Sequence, residues 1–319
     1  MTRNSGSLRS AYLHSPAYRL GDLCPIDELG QDLGVLEEMR ALGLATYSRF
    51  GGDPLELAAD SLHSTLRASA IRPSEIEAVI YATTAYGSMG AAWSLLDTEA
   101  GLRKLLGRLG MHRAMPIGVS LAQCANLTSA ISLAAGLVSA GRYRNILVFV
   151  ADRIPSGVSR VVNPGTTVLS DGAASCIVSR TAHGGWELAG FAEHLDPPDD
   201  GLNPQENFFA YLKGTAAGIE AVCADLYEQL AVDADDFDLL LINNVNRSVV
   251  RLFAEHSGFP VGSVHSANIA RYGHCDAADV IINLSDHAGG SGATPGEWIL
   301  ILTSAPFARR AIALRAAES

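Results

Sequence analysis

Five cysteines are scattered through 319 residues, and one of them stands where chemistry is possible. Cys124 falls within Val119–Val138, where an extended lead-in gives way to a run of small and apolar residues that predicts a buried helix. A cysteine at a helix start meets the positive end of the dipole and unpaired backbone N–H groups. Both favour the thiolate, which is the nucleophile. The competing reading is a small inert core residue, since free cysteine is usually buried. A nucleophilic cysteine needs a base, and the base needs a group to orient it. Tyr272-Gly-His-Cys-Asp-Ala-Ala-Asp279 supplies both residue types. His274 is the candidate base; otherwise it is a buried histidine satisfied by a backbone carbonyl. Asp276 and Asp279 are the candidate orienting groups. Asp276 could instead cap the helix that runs through Val280, Ile281 and Leu284. Asp279 stands in an apolar helix start, where an unpaired charge is costly, and this favours a partner for it.

These residues need elements to position them. Ser7–Leu20 reads as a first strand and turn. Ile26–Leu42 carries helical spacing, and Asp53-Pro54 opens a helix marked by Leu55, Leu57, Ala58, Leu62 and Leu66. Ala78–Ala82, Asn145–Asp152, Phe237–Asn244 and Glu297–Leu302 are short apolar runs of the kind found in buried strands. Further helices are predicted over 93–109, 214–230 and 248–256, with strands restarting at Trp186 and ending at Ala311–Leu314. Strands alternating with helices imply an α/β protein with parallel sheets covered on both faces.

Hydrophobic content of 48% with 18% charged residues is ample for a large core, and 31 glycines suit many tight turns. The net charge of −11 argues against nonspecific nucleic-acid binding. An odd number of scattered cysteines without a CxxC pair predicts no zinc site and a reduced, cytoplasmic setting. The polar N-terminus lacks a signal core, and no run of about eighteen apolar residues predicts a membrane span. No metal or redox cofactor is expected.

Gln123-Cys-Ala-Asn126 opening a buried helix, then the strand Asn145–Asp152, then Ser170-Asp-Gly-Ala-Ala174, resembles the ketoacyl-ACP synthase III branch of the thiolase superfamily. The resemblance covers essentially the whole chain, and the order and spacing of its parts are more specific than any single motif. The resemblance implies a thiolase-like fold: two similar halves, 1–180 with the nucleophile and 181–319 with the His/Asp and Asn motifs, in parallel-rich five-layer α-β-α-β-α packing. It places Gly273-His274 where that family has Gly-Asn; true thiolases carry a Gly-His there that faces the nucleophile. It aligns Asn243-Asn-Val-Asn246 with a His-Gln-Ala-Asn motif, so Asn246 matches and Asn243 replaces the histidine. An amide donates a hydrogen bond but supplies no imidazolium charge. Decarboxylative condensation is thereby put in doubt, and acyl transfer is not.

By the same resemblance, the oxyanion hole takes the Cys124 N–H and a second donor from Thr303–Ala308. Pro306 has no N–H, which leaves Ala305 or Phe307. Gln123 and Asn126 would contact the acyl group or acceptor, or else satisfy neighbouring backbone. Met89, Trp93, Phe208, Phe209 and Tyr211 would line an acyl pocket. Arg247 and Arg251 would dock an acidic acyl carrier protein, with Arg309 and Arg310 a second option and a solvated arginine face the alternative. The expected function is an acyltransferase of secondary (including polyketide) metabolism. It would carry an acyl group from an acyl carrier protein or CoA thioester, through a Cys124 thioester, to a hydroxyl or amine of a small acceptor. A carbon–carbon-forming condensing enzyme and a non-catalytic thiolase-fold partner subunit are the alternatives. A homodimer is implied by the family.

Overall fold

Strands that are apolar along their whole length must be covered on both faces. In the computed structural model, which describes residues 10–84, 95–162, 167–196, 207–289 and 293–317, Ala78–Ala82 is buried at every position and Asn145–Asp152 at all but the first. The chain runs through β1 (Tyr12–Leu20), β2 (Asp22–Pro25), α1 (Leu33–Ala41), β3 (Thr46–Arg49), α2 (Pro54–Ala68) and β4 (Ala78–Ala82). It continues through α3 (Leu95–Arg108), β5 (Met115–Val119), α4 (Asn126–Ser139), β6 (Asn145–Asp152), β7 (Val161–Val162), β8 (Thr167–Val168) and β9 (Gly172–Ser179). Then follow β10 (Trp186–Leu195), α5 (Phe208–Leu230), β11 (Leu239–Ile242), α6 (Arg247–Ser257), α7 (Ala267–Tyr272), α8 (Asp279–Ala288), β12 (Trp298–Ser304) and β13 (Ala308–Ala316).

Nine strands share one sheet in the order β11-β12-β13-β10-β1-β9-β6-β4-β5. Strands before residue 180 fill one flank of that order and later strands the other. On the first flank β5, β4, β6 and β1 run one way and β9 alone runs back. On the second, β11, β12 and β10 run together and β13 alone runs back. The two wirings match strand for strand. The counterpart of β5 shrinks to a single parallel bridge, Leu240 to Val264. The flanks meet along β1 and β10 through only two register pairs, Tyr12 with Glu187 and Leu13 with Trp186.

Three apolar clusters give the layers. One joins α2 and α3 to the outer face of β4, β6 and β9. Another joins α5 and α6 to the outer face of β11–β13. The third lies between the flanks and holds α4, α8 and the inner faces of both. A helix held closely between two flanks needs small side chains, and α4 supplies Ala130, Ala134 and Ala135, all buried. Together these are the five layers of the thiolase fold.

Two boundaries depart from the expected ones. Ile26–Leu42 divides into a 3-10 turn, Ile26–Leu29, and α1, because Gly30 at φ 68° turns the chain between them. The helix predicted from Gly214 begins already at Phe208, where Asn207 Oδ1 accepts from the Ala210 N–H at 3.1 Å. The Asp53–Pro54 start of α2 stands as expected, with Asp53 Oδ1 accepting from the Leu55 N–H at 2.9 Å.

Candidate active site

The middle layer brings two helix starts together. Cys124 lies in a 3-10 turn, Gln123–Ala125, that runs directly into α4. A second 3-10 turn, Asp276–Ala278, runs directly into α8, and the two turns pack against each other. Cys124 Sγ lies 3.4 Å from His274 Nε2. His274 Nδ1 lies 2.5 Å from Asp279 Oδ2. A carboxylate can only accept, so Nδ1 carries a proton and donates it to Asp279, which leaves Nε2 facing the thiol. Asp279 is fully buried and receives three further donors: the Asn244 N–H at 2.7 Å, the Cys275 N–H at 2.8 Å and Asn244 Nδ2 at 3.3 Å.

The backbone of the base is held just as closely. The His274 N–H donates to the Val168 carbonyl at 2.9 Å, and the Ser170 N–H donates to the His274 carbonyl at 2.8 Å. Gly273 turns the chain into this clamp at φ 65°, ψ −156°, a region open essentially to glycine alone.

Asp276 does not cap α8; the residue before α8 is Ala278, with no side-chain cap. Asp276 instead stands at φ 54°, with its buried Oδ1 unpartnered. Gln123, beside the nucleophile, is also left-handed, at φ 45°. Both strained positions flank the reacting pair, where such strain tends to collect.

The electrostatics revise one expectation. A helix start was expected to favour the thiolate, yet the Cys124 thiol is pushed up to about 11. Burial is the largest cause and the Asp276 charge the next, with His274 pulling the other way. Burial also pulls His274 down, but the Asp279 charge and hydrogen bond outweigh it and hold the imidazole well above its usual value. Asp152, at the end of β6, is raised to about 7 by burial and then by Asp276. Its carboxyl accepts from Thr83 Oγ1 at 2.6 Å and the Thr84 N–H at 3.1 Å.

The other expected residues sort as follows. Asn243 Nδ2 donates to the Cys124 carbonyl at 3.4 Å while its Oδ1 accepts from the Ser304 N–H at 3.1 Å, bracing the nucleophile's turn against β12. Asn126 does not face substrate: it is fully buried, accepting from the Ala122 N–H at 2.8 Å and donating to the Thr83 carbonyl at 3.1 Å. Gln123 is exposed. Asn246 Oδ1 caps α6 by accepting from the Ser248 and Val249 N–H groups at 2.8 and 3.0 Å. The Ala305 N–H is taken by the Ala308 carbonyl, which removes it as an oxyanion donor. Phe307 has a half-exposed ring, and its carbonyl accepts from the Asp196 N–H.

Arg247 and Arg251 are exposed one helical turn apart on α6. Arg309 is no docking residue: it is fully buried and paired to Asp196 at 3.0 Å, and Arg310 pairs with Glu193 at 2.8 Å. Phe209 is 84% exposed. Met89, Trp93 and the side chain of Phe208 lie outside the described residues. Tyr211 lines an apolar cavity of about 280 Å³ with Leu212, Val249 and Phe253, which reaches Asn243 and Ser304 beside the nucleophile's turn.

A family model, 3-oxoacyl-[acyl-carrier-protein (ACP)] synthase III, matches residues 120–197, the segment from the cysteine turn through β9 to the end of β10. A β-ketoacyl-[acyl-carrier-protein] synthase III from Fusobacterium nucleatum is 25% identical over 256 residues, covering 72% of this chain and 74% of its own. The chain is ketoacyl-ACP synthase III-like. The crystal structure of the 3-oxoacyl-[acyl-carrier-protein] synthase III from Aquifex aeolicus superposes on this ketoacyl-ACP synthase III-like chain with a TM-score of 0.77 at 17% identity. That superposition covers 96% of this chain and 99% of the other. A solved acyltransferase, ChlB3, superposes with a TM-score of 0.82 at 15% identity over 96% of this chain and 98% of its own. At such identities the superpositions speak for the fold.

Residues that the sequence reading did not single out also shape the site of this ketoacyl-ACP synthase III-like protein. Asn244 and Asn283 stand behind Asp279, and Asp152 with Thr83 stands behind Asp276. Asn283 left a trace: it falls four residues after Asp279 on an otherwise apolar helix start, which places two polar side chains on one buried face. Among the described residues, no helix is long and apolar enough to cross a membrane.

Proposed function

We propose that this chain is an acyltransferase that loads an acyl group from a carrier-protein or CoA thioester onto Cys124 and passes it to a hydroxyl or amine of a small acceptor in secondary metabolism. The observation that carries the reading is the hydrogen-bonded row Cys124–His274–Asp279, with Asn243 committed to backbone on both sides. As Cys124 Sγ attacks the thioester carbonyl, its proton passes to His274 Nε2. The tetrahedral oxyanion is met by the Cys124 N–H, with the Phe307 N–H as the proposed second donor. Collapse breaks the carbon–sulfur bond of the donor, and the departing thiol takes the proton from His274. The acceptor O–H or N–H then loses its proton to His274 while attacking the acyl-enzyme, and Cys124 leaves as the thiol. Asp279 holds the ring and stabilises its charged form throughout.

The apolar cavity beside Asn243 suits the arm or acyl chain of the donor, and Arg247 and Arg251 are the proposed carrier contacts. Gln123 is the proposed substrate contact, and Asn246, at the cavity rim, a support. Residues 1–180 and 181–319 are the proposed halves, one bringing the nucleophile and the other the base. A condensing reaction is the second reading, favoured by the synthase relative that matches most of the chain. It would require malonyl-carrier as partner and an enolate held without imidazolium at position 243.

Intact-protein mass spectrometry tests the proposal. The protein and its Cys124→Ala variant are mixed with a panel of acyl-carrier and acyl-CoA thioesters. A mass gain lost in the variant, then discharged by a hydroxyl or amine acceptor and not by malonyl-carrier, is the expected result. Discharge by malonyl-carrier with carbon dioxide release supports the condensing reading. No adduct with any donor supports a non-catalytic partner subunit.

A further inference from the structure

Behind Asp279 runs a buried row of side-chain amides. Asn244 gives the carboxylate two donors, its backbone N–H and its Nδ2. Asn283, one turn along α8 from Asp279, donates from Nδ2 to Asn244 Oδ1 at 3.0 Å and to the Ile242 carbonyl at 3.0 Å. Asn268 on α7 donates from Nδ2 to Asn283 Oδ1 at 3.0 Å. Arg271, at the surface, donates to Asn268 Oδ1 at 3.1 Å and pairs with Asp286 at 3.2 Å. Asn244, Asn268, Asn283 and Asp279 are all fully buried.

Chemistry gives this row a single sense. The Ile242 carbonyl can only accept, so the amide nitrogen of Asn283 must face it. Asn283 Oδ1 is then left to accept from Asn268. The same nitrogen spends its other proton on Asn244 Oδ1, which turns Asn244 Nδ2 toward Asp279. Flipping Asn244 would set its oxygen against a carboxylate oxygen and place the Asn283 and Asn244 nitrogens face to face. The orientation of the amide that holds Asp279 is thus dictated by a backbone carbonyl two links away. Filling the same volume with apolar side chains would avoid the cost of burying three amides, so packing alone does not explain them.

We propose that Asn244 and Asn283 are positioning residues: they lock the Asp279 carboxylate in the orientation that meets His274 Nδ1, and through it keep His274 Nε2 on Cys124. This rests on the reading of Cys124, His274 and Asp279 as a working row. It concerns the reactivity of the cysteine, whatever acyl donor and acceptor the enzyme uses.

The test is the pH dependence of Cys124 alkylation by iodoacetamide, followed by intact mass, with Cys124→Ala marking the background of the other cysteines. It needs no acyl donor, so a failure to find any acyl-enzyme would sink the acyl-transfer reading and leave this result legible. Asn244→Ala and Asn283→Ala are expected to slow alkylation at neutral pH by about ten- to a hundredfold, the usual reach of partners one shell out. They should also move the midpoint of the pH profile toward alkali, because an imidazolium held less firmly by Asp279 gives the Cys124 thiolate less support. Asn268→Ser, farther from the site, should move it the same way by less, and carries the test if Asn283→Ala does not fold. Thermal melting is read in parallel. Variants that melt earlier but keep the wild-type midpoint would reduce the amides to packing and overturn the proposal, as would an unchanged alkylation rate.

Discussion

At Cys124 two influences oppose each other: the helix start favours a thiolate, while burial and the Asp276 carboxyl favour the thiol and prevail. Asp276→Asn removes the charge and should lower the Cys124 midpoint, so iodoacetamide alkylation near pH 8 should speed up several-fold. An unchanged profile would show that Asp276 does not act on the thiol. His274 is raised, so the pair must lose a proton before Nε2 can act as a base. Acyl-enzyme formation should therefore rise with pH through a midpoint above the ordinary histidine value of about 6.5. Asp279→Asn should move that midpoint down and slow acylation about a hundredfold or more, as removal of the orienting carboxylate does in comparable triads. Equal rates across the pH range would dismiss Asp279 from the mechanism. The same shift bears on stability. A raised histidine stabilises the fold fully below its unfolded pKa, and that contribution fades as pH climbs through the folded value. The family resemblance pointed to His274, and a carboxylate in an apolar helix start, which demands a partner, pointed to Asp279 while leaving Asp276 open. Asp152 and the amides behind Asp279 were not legible: asparagine has no spacing rule, and its partners lie on other elements.

Among elements, the loop from α7 into α8 is the most tightly specified. A Cβ added at Gly273 would lie 2.9 Å from the Val168 carbonyl oxygen and 2.9 Å from Ser170 Oγ, on a backbone only glycine adopts. Gly273→Ala should cost about 1–3 kcal/mol from the backbone alone, with more from the close contact. It should also displace His274 and slow Cys124 alkylation; urea unfolding and the alkylation rate check both. A variant as stable and as reactive as the parent would refute the constraint. Strands announced by apolar runs, such as β4 and β6, were readable, and so was α2 from Asp53-Pro54. The short pair β2 and β3 was not, because two four-residue strands that mainly cover a flank lack a periodic signal of their own.

The whole molecule ends at β5, the last strand of the sheet order, whose outward positions are open and whose Met115 is 56% exposed, with Leu121 nearby at 98%. An unpaired edge followed by bare apolar side chains invites a second copy. Sedimentation should therefore give twice the 33.5 kDa chain mass, and Met115→Lys with Leu121→Asp should return it to one chain. A wild-type protein that sediments as a single chain would rule this out. Covered parallel sheets were legible from the alternation of strands and helices and the five layers from the family resemblance; the narrowness of the β1–β10 seam was not, since register is a property of twist and packing. Within the sheet that seam joins the two flanks by two pairs of residues, and the apolar layer of α4 and α8 carries the rest of the contact between them. The catalytic base does not follow its own flank across that seam. His274 is pinned by backbone on both sides to Val168 and Ser170, on the flank that carries Cys124. The apolar cavity between α5 and α6 lies wholly on the other flank, so relative motion of the flanks would slide the donor's berth against the sulfur while the sulfur-to-nitrogen distance stayed fixed.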